Sequence, residues 1–291
     1  VSVFDDVFAD LTAEGDQLRA AVAGLDDGAD GGWATPTPAE GWTIATTIAH
    51  LLWTDEVAVL AANAHSPEGK EAWDEVVLQA IADPTGFVDA GAHELAALAP
   101  ADLLVRWDAG RAALAVALRE VPEGQKMPWF GPPMSPTSMA TARFMETWAH
   151  ALDVYDALAA AGSTGGSTGG RPAVTDRIKQ VAHLGVRTRN FSFAQHELEA
   201  PTEEFLVALT APSGELWVWG PEDAAQSVRG SAYDFCQLVT QRIHRDDTDL
   251  VAVGADAEKW LTIAQAFAGP AGGGRVSRLA DARTSTSEEG A

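Results

Sequence analysis

Basic residues are scarce in this 291-residue chain: 19 Lys and Arg stand against 42 Asp and Glu, a formal charge of −23. Such a surface repels phosphate backbones and anionic lipid headgroups, so neither nucleic acid nor a membrane is expected as a partner. Most of the carboxylates read as solvated acidic surface. Cysteine is nearly absent. Cys236 stands alone, which excludes an intrachain disulfide and any zinc site built from several thiolates. A bound metal would have to be held by histidine and carboxylate. Long apolar runs are missing too: charge interrupts each one short of the roughly 18 residues a membrane span needs. Val1 to Asp6 lack the basic start of a signal peptide, so a cytoplasmic location is expected. At 46% hydrophobic, the chain can build one large or two ordinary domains.

The clearest boundary is Ala160-Ala-Gly-Ser-Thr-Gly-Gly-Ser-Thr-Gly-Gly-Arg171, whose side chains cannot build a core. It divides residues 1–160 from 172–278, with 161–171 as linker and 279–291 as a disordered polar tail. Before it the period is helical. Val3, Phe4, Val7, Phe8, Leu11, Leu18, Val22 and Leu25 mark a first helix ending near Asp26-Asp-Gly28. Thr43 to Ala64 reads as a second, Asp102 to Arg119 as a third, and Ala72 to Ala82 as a shorter helix in the excursion between them. Prolines and a glycine keep Pro128 to Pro136 non-helical, and Ser135 or Ser138 can cap a helix running to about Ala160. Four long amphipathic helices with one long crossover describe a four-helix bundle. After the boundary, Val174 to Arg189 looks helical, while Phe205 to Trp219 alternates around Pro212-Ser-Gly214 as a hairpin. A short strand at Ser227 to Arg229, a helix at Ala232 to His244, a strand at Asp249 to Val253 and a helix at Asp256 to Ala268 complete a small α+β domain. The expected fold class is therefore α plus α+β.

Of seven histidines, His65, His93 and His183 read as surface groups, and His196 and His244 stay as weaker candidates in the second domain. His50 and His150 differ. Glu146 and His150 are four apart, so on a helix they emerge one turn apart on one face, and Asp153 continues that stripe. Asp153 reads equally as a group that orients a ligand and as a polar cap. Such a carboxylate and imidazole suit one divalent ion, with His50 on the second helix as the third ligand. A His2Glu set leaves room for water or substrate. A solvated helix-surface pair is the commoner outcome of that spacing.

Gly41-Trp-Thr-Ile-Ala-Thr-Thr-Ile-Ala-His-Leu51 resembles the second-helix signature of the DinB-like metal-binding helical bundles. Glu146-Thr-Trp-Ala-His-Ala-Leu-Asp153 is similar to the fourth-helix signature of one branch, the mycothiol-dependent maleylpyruvate isomerase type. The resemblance implies His50, Glu146 and His150 as the ligands. It extends to Val228 through Arg242, which is similar to the family's C-terminal domain, where an arginine ending a similar helix contributes to activity. Arg242 is the matching position, with Gln241 where glycine is usual. Pro128 to Pro136 and Glu215-Leu-Trp-Val-Trp-Gly220 resemble an actinobacterial subgroup described as metal-binding.

An open divalent site can lower the pKa of a bound thiol or of water. Cys236, between Phe235 and Leu238, reads as a buried apolar cysteine, so the thiol route needs an external nucleophile. The resemblance implies a mycothiol-like thiol as cosubstrate in a transferase or isomerase reaction on a small electrophile. A hydrolase or lyase using activated water, and a non-catalytic metal or small-molecule binding protein, are the alternatives. Zinc leads as the ion, with nickel, iron or manganese also suited to these ligands. Arg242 and Arg111, which interrupts the Trp107 and Leu114 stripe, are the candidate catalytic anion anchors, although Arg111 reads equally as a snorkelling side chain. Trp53 and Trp129, with Trp42 and Phe130, are the candidate aromatic wall for the thiol cosubstrate, set against the commoner role of tryptophan in a core. A homodimer is left open.

Overall fold

A computed structural model describes residues 2–162 and 171–278. Most of the glycine-rich boundary segment, and the tail from 279, lie outside the described residues. The chain divides into two compact units, Val1–Pro172 and Ala173–Ala291.

The first unit is helical: α1 (Val3–Val22), α2 (Ile44–Asn63), α3 (Pro67–Ala82), α4 (Phe87–Ala96), α5 (Pro100–Glu120) and α6 (Pro136–Ala160). The helix starts follow local chemistry. Ser2 and Asp5 form a capping box on α1. Thr43, Ser66 and Ser135 accept amide hydrogen bonds at the starts of α2, α3 and α6. Pro67, Pro100 and Pro136 each occupy a first helical turn, where a missing N–H costs nothing. The helix α1 stops at Val22, short of the expected Asp26, because Gly24 turns the chain at φ 79°. Helix α4 was hidden in the excursion: at ten residues it offers too few turns for a periodic signal.

In the bundle α1 packs on α6, and α2 packs on both α5 and α6, while α3 and α4 lie against α2. Helix α2 is therefore surrounded. Ile44, Ile48, Leu51 and Leu52 are wholly buried, each contributing about 1.5–3 kcal/mol. By length and composition this one helix could cross a membrane, so the reading that no apolar stretch is long enough needs correction. Yet most of it is buried inside the protein, and Asp55 and Glu56 interrupt its apolar run. Its apolarity is spent on neighbouring helices.

The second unit holds α7 (Lys179–Arg187), α8 (Arg189–Gln195), β1 (Leu206–Thr210), β2 (Leu216–Trp219), β3 (Ser227–Ser231), α9 (Ala232–Val239), β4 (Val251–Val253) and α10 (Ala255–Ile263). The sheet order is β2-β1-β3-β4; β1 pairs antiparallel with β2 and parallel with β3, and β3 pairs antiparallel with β4. The β1–β2 hairpin turns at Gly214, φ 89°. Helix α9 packs on β1 and β3, and Phe235 meets Trp260 edge to face at 5.6 Å. It ends five residues before the expected His244, because Gln241 takes a left-handed φ of 60° and the chain turns away. The helix α10 also stops short of the expected Ala268, with Ala264 already extended.

Candidate metal centre

Residue 50 lies two turns into α2, and Glu146 and His150 lie one turn apart on α6. The packing of α2 on α6 brings them together. Glu146 Oε2 sits 3.6 Å from His50 Nε2 and 3.3 Å from His150 Nε2. One ligand atom from each residue falls within 4.8 Å of the other two. Among the described residues this is the one group of histidine and carboxylate side chains so arranged. His50 is 7% exposed, and neither of its ring nitrogens has a hydrogen-bond partner. The Glu146 side chain keeps 22% of its surface, so the cluster is open on the carboxylate side.

Electrostatics prepare the donors. Burial pushes the His50 pKa down to about 4, leaving a neutral imidazole with a free lone pair at neutral pH. Burial also opposes ionisation of Glu146, but the facing imidazoles of His150 and His50 outweigh it and hold the carboxyl well below its usual range. His150 Nδ1 lies 3.4 Å from the buried Asp153 carboxylate, a contact that turns Nε2 toward Glu146.

Trp42, just before α2, packs on both rings: 5.6 Å and nearly parallel to His150, 5.0 Å and tilted to His50. The aromatic wall is thus Trp42. Trp53 and Trp129 belong to another cluster, in which Trp53 meets Phe87 edge to face at 4.8 Å and Trp129 stacks on Trp73 at 6.0 Å. Phe130 joins Phe87 to Trp129 within that cluster.

Both arginines have local partners. Arg111 is committed to α1, donating to the Thr12 carbonyl at 2.9 Å and to Asp16 at 2.7 Å. It lines a cleft of about 330 Å³ to which none of His50, Glu146 and His150 contributes. Arg242 belongs to the second unit and donates to the Thr240 carbonyl at 2.6 Å. Cys236 is buried, and burial drives its thiol pKa well up, as expected of an apolar cysteine. His65 and His93 bond to backbone carbonyls of their own chain segments. His183 is exposed, in line with its surface reading, and accepts from Trp219 Nε1 at 3.3 Å. His196 and His244 line a cavity of about 210 Å³ in the second unit.

One element of the site escaped the sequence reading. Arg143 of α6, 3% exposed, donates from Nε to Asp55 Oδ1 of α2 at 3.0 Å and from a terminal nitrogen to the Thr54 hydroxyl. Thr54 in turn donates to the His50 carbonyl at 2.8 Å. The available signal was an aspartate inside an otherwise apolar helix, a placement that demands a buried partner.

Two imidazoles and a carboxylate converging from facing helices define the class: a DinB-like helical bundle with a candidate metal centre. The sequence profile of the mycothiol maleylpyruvate isomerase N-terminal domain matches residues 11–155, and that of a wyosine base formation domain matches 201–253. The uncharacterized proteins MT0041 and Rv0036c of Mycobacterium tuberculosis (strains CDC 1551 / Oshkosh and ATCC 25618 / H37Rv) are each 55% identical over 267 residues, covering 92% of this chain and 97% of theirs. Two crystal structures of the mycothiol-dependent maleylpyruvate isomerase, one of a point mutant, share the fold at TM-scores of 0.50 and 0.52. Their identities are 17% and 18%, over 87% of this chain and 93% of theirs. The chain belongs to one family with these two mycobacterial proteins, and its residues 11–155 form a domain of the mycothiol maleylpyruvate isomerase N-terminal type.

Proposed function

We propose that the protein is a divalent-metal enzyme that uses a mycothiol-like thiol in an isomerase or transferase reaction on a small electrophile. The observation that carries this reading is the convergence of His50, Glu146 and His150 with one side open. The donor set fits an ion. Tetrahedral ligands about 2.0–2.1 Å from zinc stand about 3.3 Å from one another; Glu146 Oε2 lies 3.3 and 3.6 Å from the two histidine nitrogens, and all three donors lie within 4.8 Å of one another. His50 Nε2 is buried without a hydrogen bond and faces Glu146 at 3.6 Å, a position an ion between them would account for. Zinc is the first candidate, with nickel, iron and manganese suited to the same donors.

When bound, such an ion supplies the positive charge that lowers the pKa of a thiol held beside it. The chain's own residues prepare the place. Glu146 is the one anionic donor, so a divalent ion would keep a net positive charge within its own donor set, offset outside that set by the Asp153 carboxylate beside His150. Asp153 fixes the His150 ring, and Trp42 shields the imidazole flank from water. The nucleophile has to come from outside, because the single cysteine is buried in the second unit. Arg242 is proposed as the arginine that contributes to activity, on family likeness. The fold is that of the named isomerase; the electrophile is a small molecule, and we place the protein in the cytoplasm.

Metal analysis followed by calorimetry with mycothiol tests the reading. One ion per chain is expected, with thiol binding only to the metal-loaded protein. Alanine at His50, Glu146 or His150 should each remove most of the ion while helix content by circular dichroism stays largely intact. Full occupancy in any one variant removes that residue from the set. Turnover without thiol would place the protein among metal hydrolases.

A further inference from the structure

We infer that Arg143 is a positioning residue for this centre, setting the register of α6 against α2 through Thr54 and Asp55; the inference rests on the metal-binding reading above. The contacts form a chain. From Arg143 one branch runs to Asp55, at 3.0 Å, and a second runs through the Thr54 hydroxyl to the carbonyl of His50 itself. On α6, Arg143, Glu146 and His150 follow one another at three and four residues, so all three share a face. On α2, His50 and Thr54 are four apart and likewise share a face. The fork therefore bonds one turn away from the donors, on the same pair of facing stripes.

Geometry gives this chain its leverage. A slip of α6 by one residue along its axis is about 1.5 Å, enough to spoil donor separations of 3.3 and 3.6 Å. Apolar packing between α2 and α6 is non-directional, so it can be re-formed in a shifted register with different knobs and holes. The two bonds of a planar guanidinium cannot. Within each helix, Thr147 donates to the Arg143 carbonyl at 2.8 Å, and the single Thr54 hydroxyl proton is shared between the carbonyls of His50 and Leu51. A buried ion pair is weak evidence for stability but is well suited to fixing register.

The test uses the full chain and Co2+, whose visible bands report ligand number and geometry. Three variants are compared with the wild type. R143K keeps the charge and loses the fork. T54V removes only the hydroxyl, leaves the Arg143–Asp55 pair and guards against a folding failure in R143K. E56Q breaks a surface fork between α2 and α5, where Arg106 holds Glu56 at 2.7 and 2.9 Å, and serves as the control. We expect Co2+ affinity to fall about 10- to 100-fold in R143K and about tenfold in T54V, with altered band positions in both and none in E56Q. Wild-type affinity and an unchanged spectrum in both R143K and T54V, whatever their melting temperatures, would overturn the inference alone. Failure of the wild type to take up Co2+ would overturn it together with the functional reading beneath it.

Discussion

Replacing Asp55 separates the value of its charge from the value of its hydrogen bond. The carboxylate is 4% exposed and accepts from a guanidinium that is 3% exposed. Asp55→Ala leaves that guanidinium without its acceptor in the bundle interior, at a cost of about 3–5 kcal/mol. For a unit of this size about 2–4 °C is lost per kcal/mol, so calorimetry should show a fall of about 6–20 °C. Asp55→Asn behaves differently. Burial raises the Asp55 pKa in spite of Arg143, which means that desolvation outweighs the pair's attraction. An amide keeps an acceptor and removes the desolvated charge, so its cost at neutral pH should stay below about 1 kcal/mol. The pH dependence follows in sign. A carboxyl with a raised folded pKa stabilises fully below its unfolded value of 3.8 and loses that contribution as the pH climbs through the folded value. Wild type should therefore gain on Asp55→Asn as the solution is acidified. Should the amide prove as harmful as alanine, with a gap that widens toward high pH, attraction to Arg143 dominates and the reasoning is wrong. Replacing both partners with Leu and Met should bring stability back near the wild-type value.

Helix α4 lies flush on Trp53: a Cβ at Gly91 would come within 2.3 Å of the indole Nε1. Gly91→Ala should cost about 1–3 kcal/mol through overpacking, measured by urea unfolding; a neutral result would show that α4 is free to lift away. Salt gives an independent check on the charge argument. With 42 acids against 19 bases, long-range repulsion should slow the approach of an anionic substrate, and raising ionic strength should speed association in stopped-flow mixing. Slowing instead would show that the local positive charge of a loaded site governs the encounter.

Much of the bundle was legible because its signals are local. Thr43 and Ser135 begin helices whose apolar period is plain, and the Pro212-Ser-Gly214 turn fixes a hairpin over a few residues, whereas α3 starts at Pro67, ahead of the expected Ala72, because its exposed first turns carry no apolar period. The pairing of Glu146 with His150 was equally local, being set by the helical pitch. Which other groups meet them was not, because that depends on how α2 and α6 are rotated against each other. Composition placed Trp53 and Trp129 with the site, although α4 and the segment around Phe130 draw them into a separate aromatic cluster. The Trp107 and Leu114 stripe leaves Arg111 equally able to point inward or to snorkel, and the nearby Asp16 of α1 captures it. The end of α9 was missed because glutamine at φ 60° carries none of the usual signal of a glycine stop.

The same helix meets two opposed demands, and its sequence shows how. Ile44, Ile48, Leu51 and Leu52 give α2 the hydropathy of a membrane span, and that apolar surface holds the bundle together. Apolar surface alone would leave the helix free to rotate and slide. Thr47, His50, Thr54 and Asp55 interrupt it as a buried polar set. Thr54 and Asp55 find directional partners on α6, and His50 lies against Glu146. Each polar group costs stability unless it is satisfied, so the set restricts the accepted packing to arrangements in which these partners meet. A protein of this kind gains a site by giving up a little of its core, and the residues to examine first are those whose burial the hydrophobic effect cannot explain.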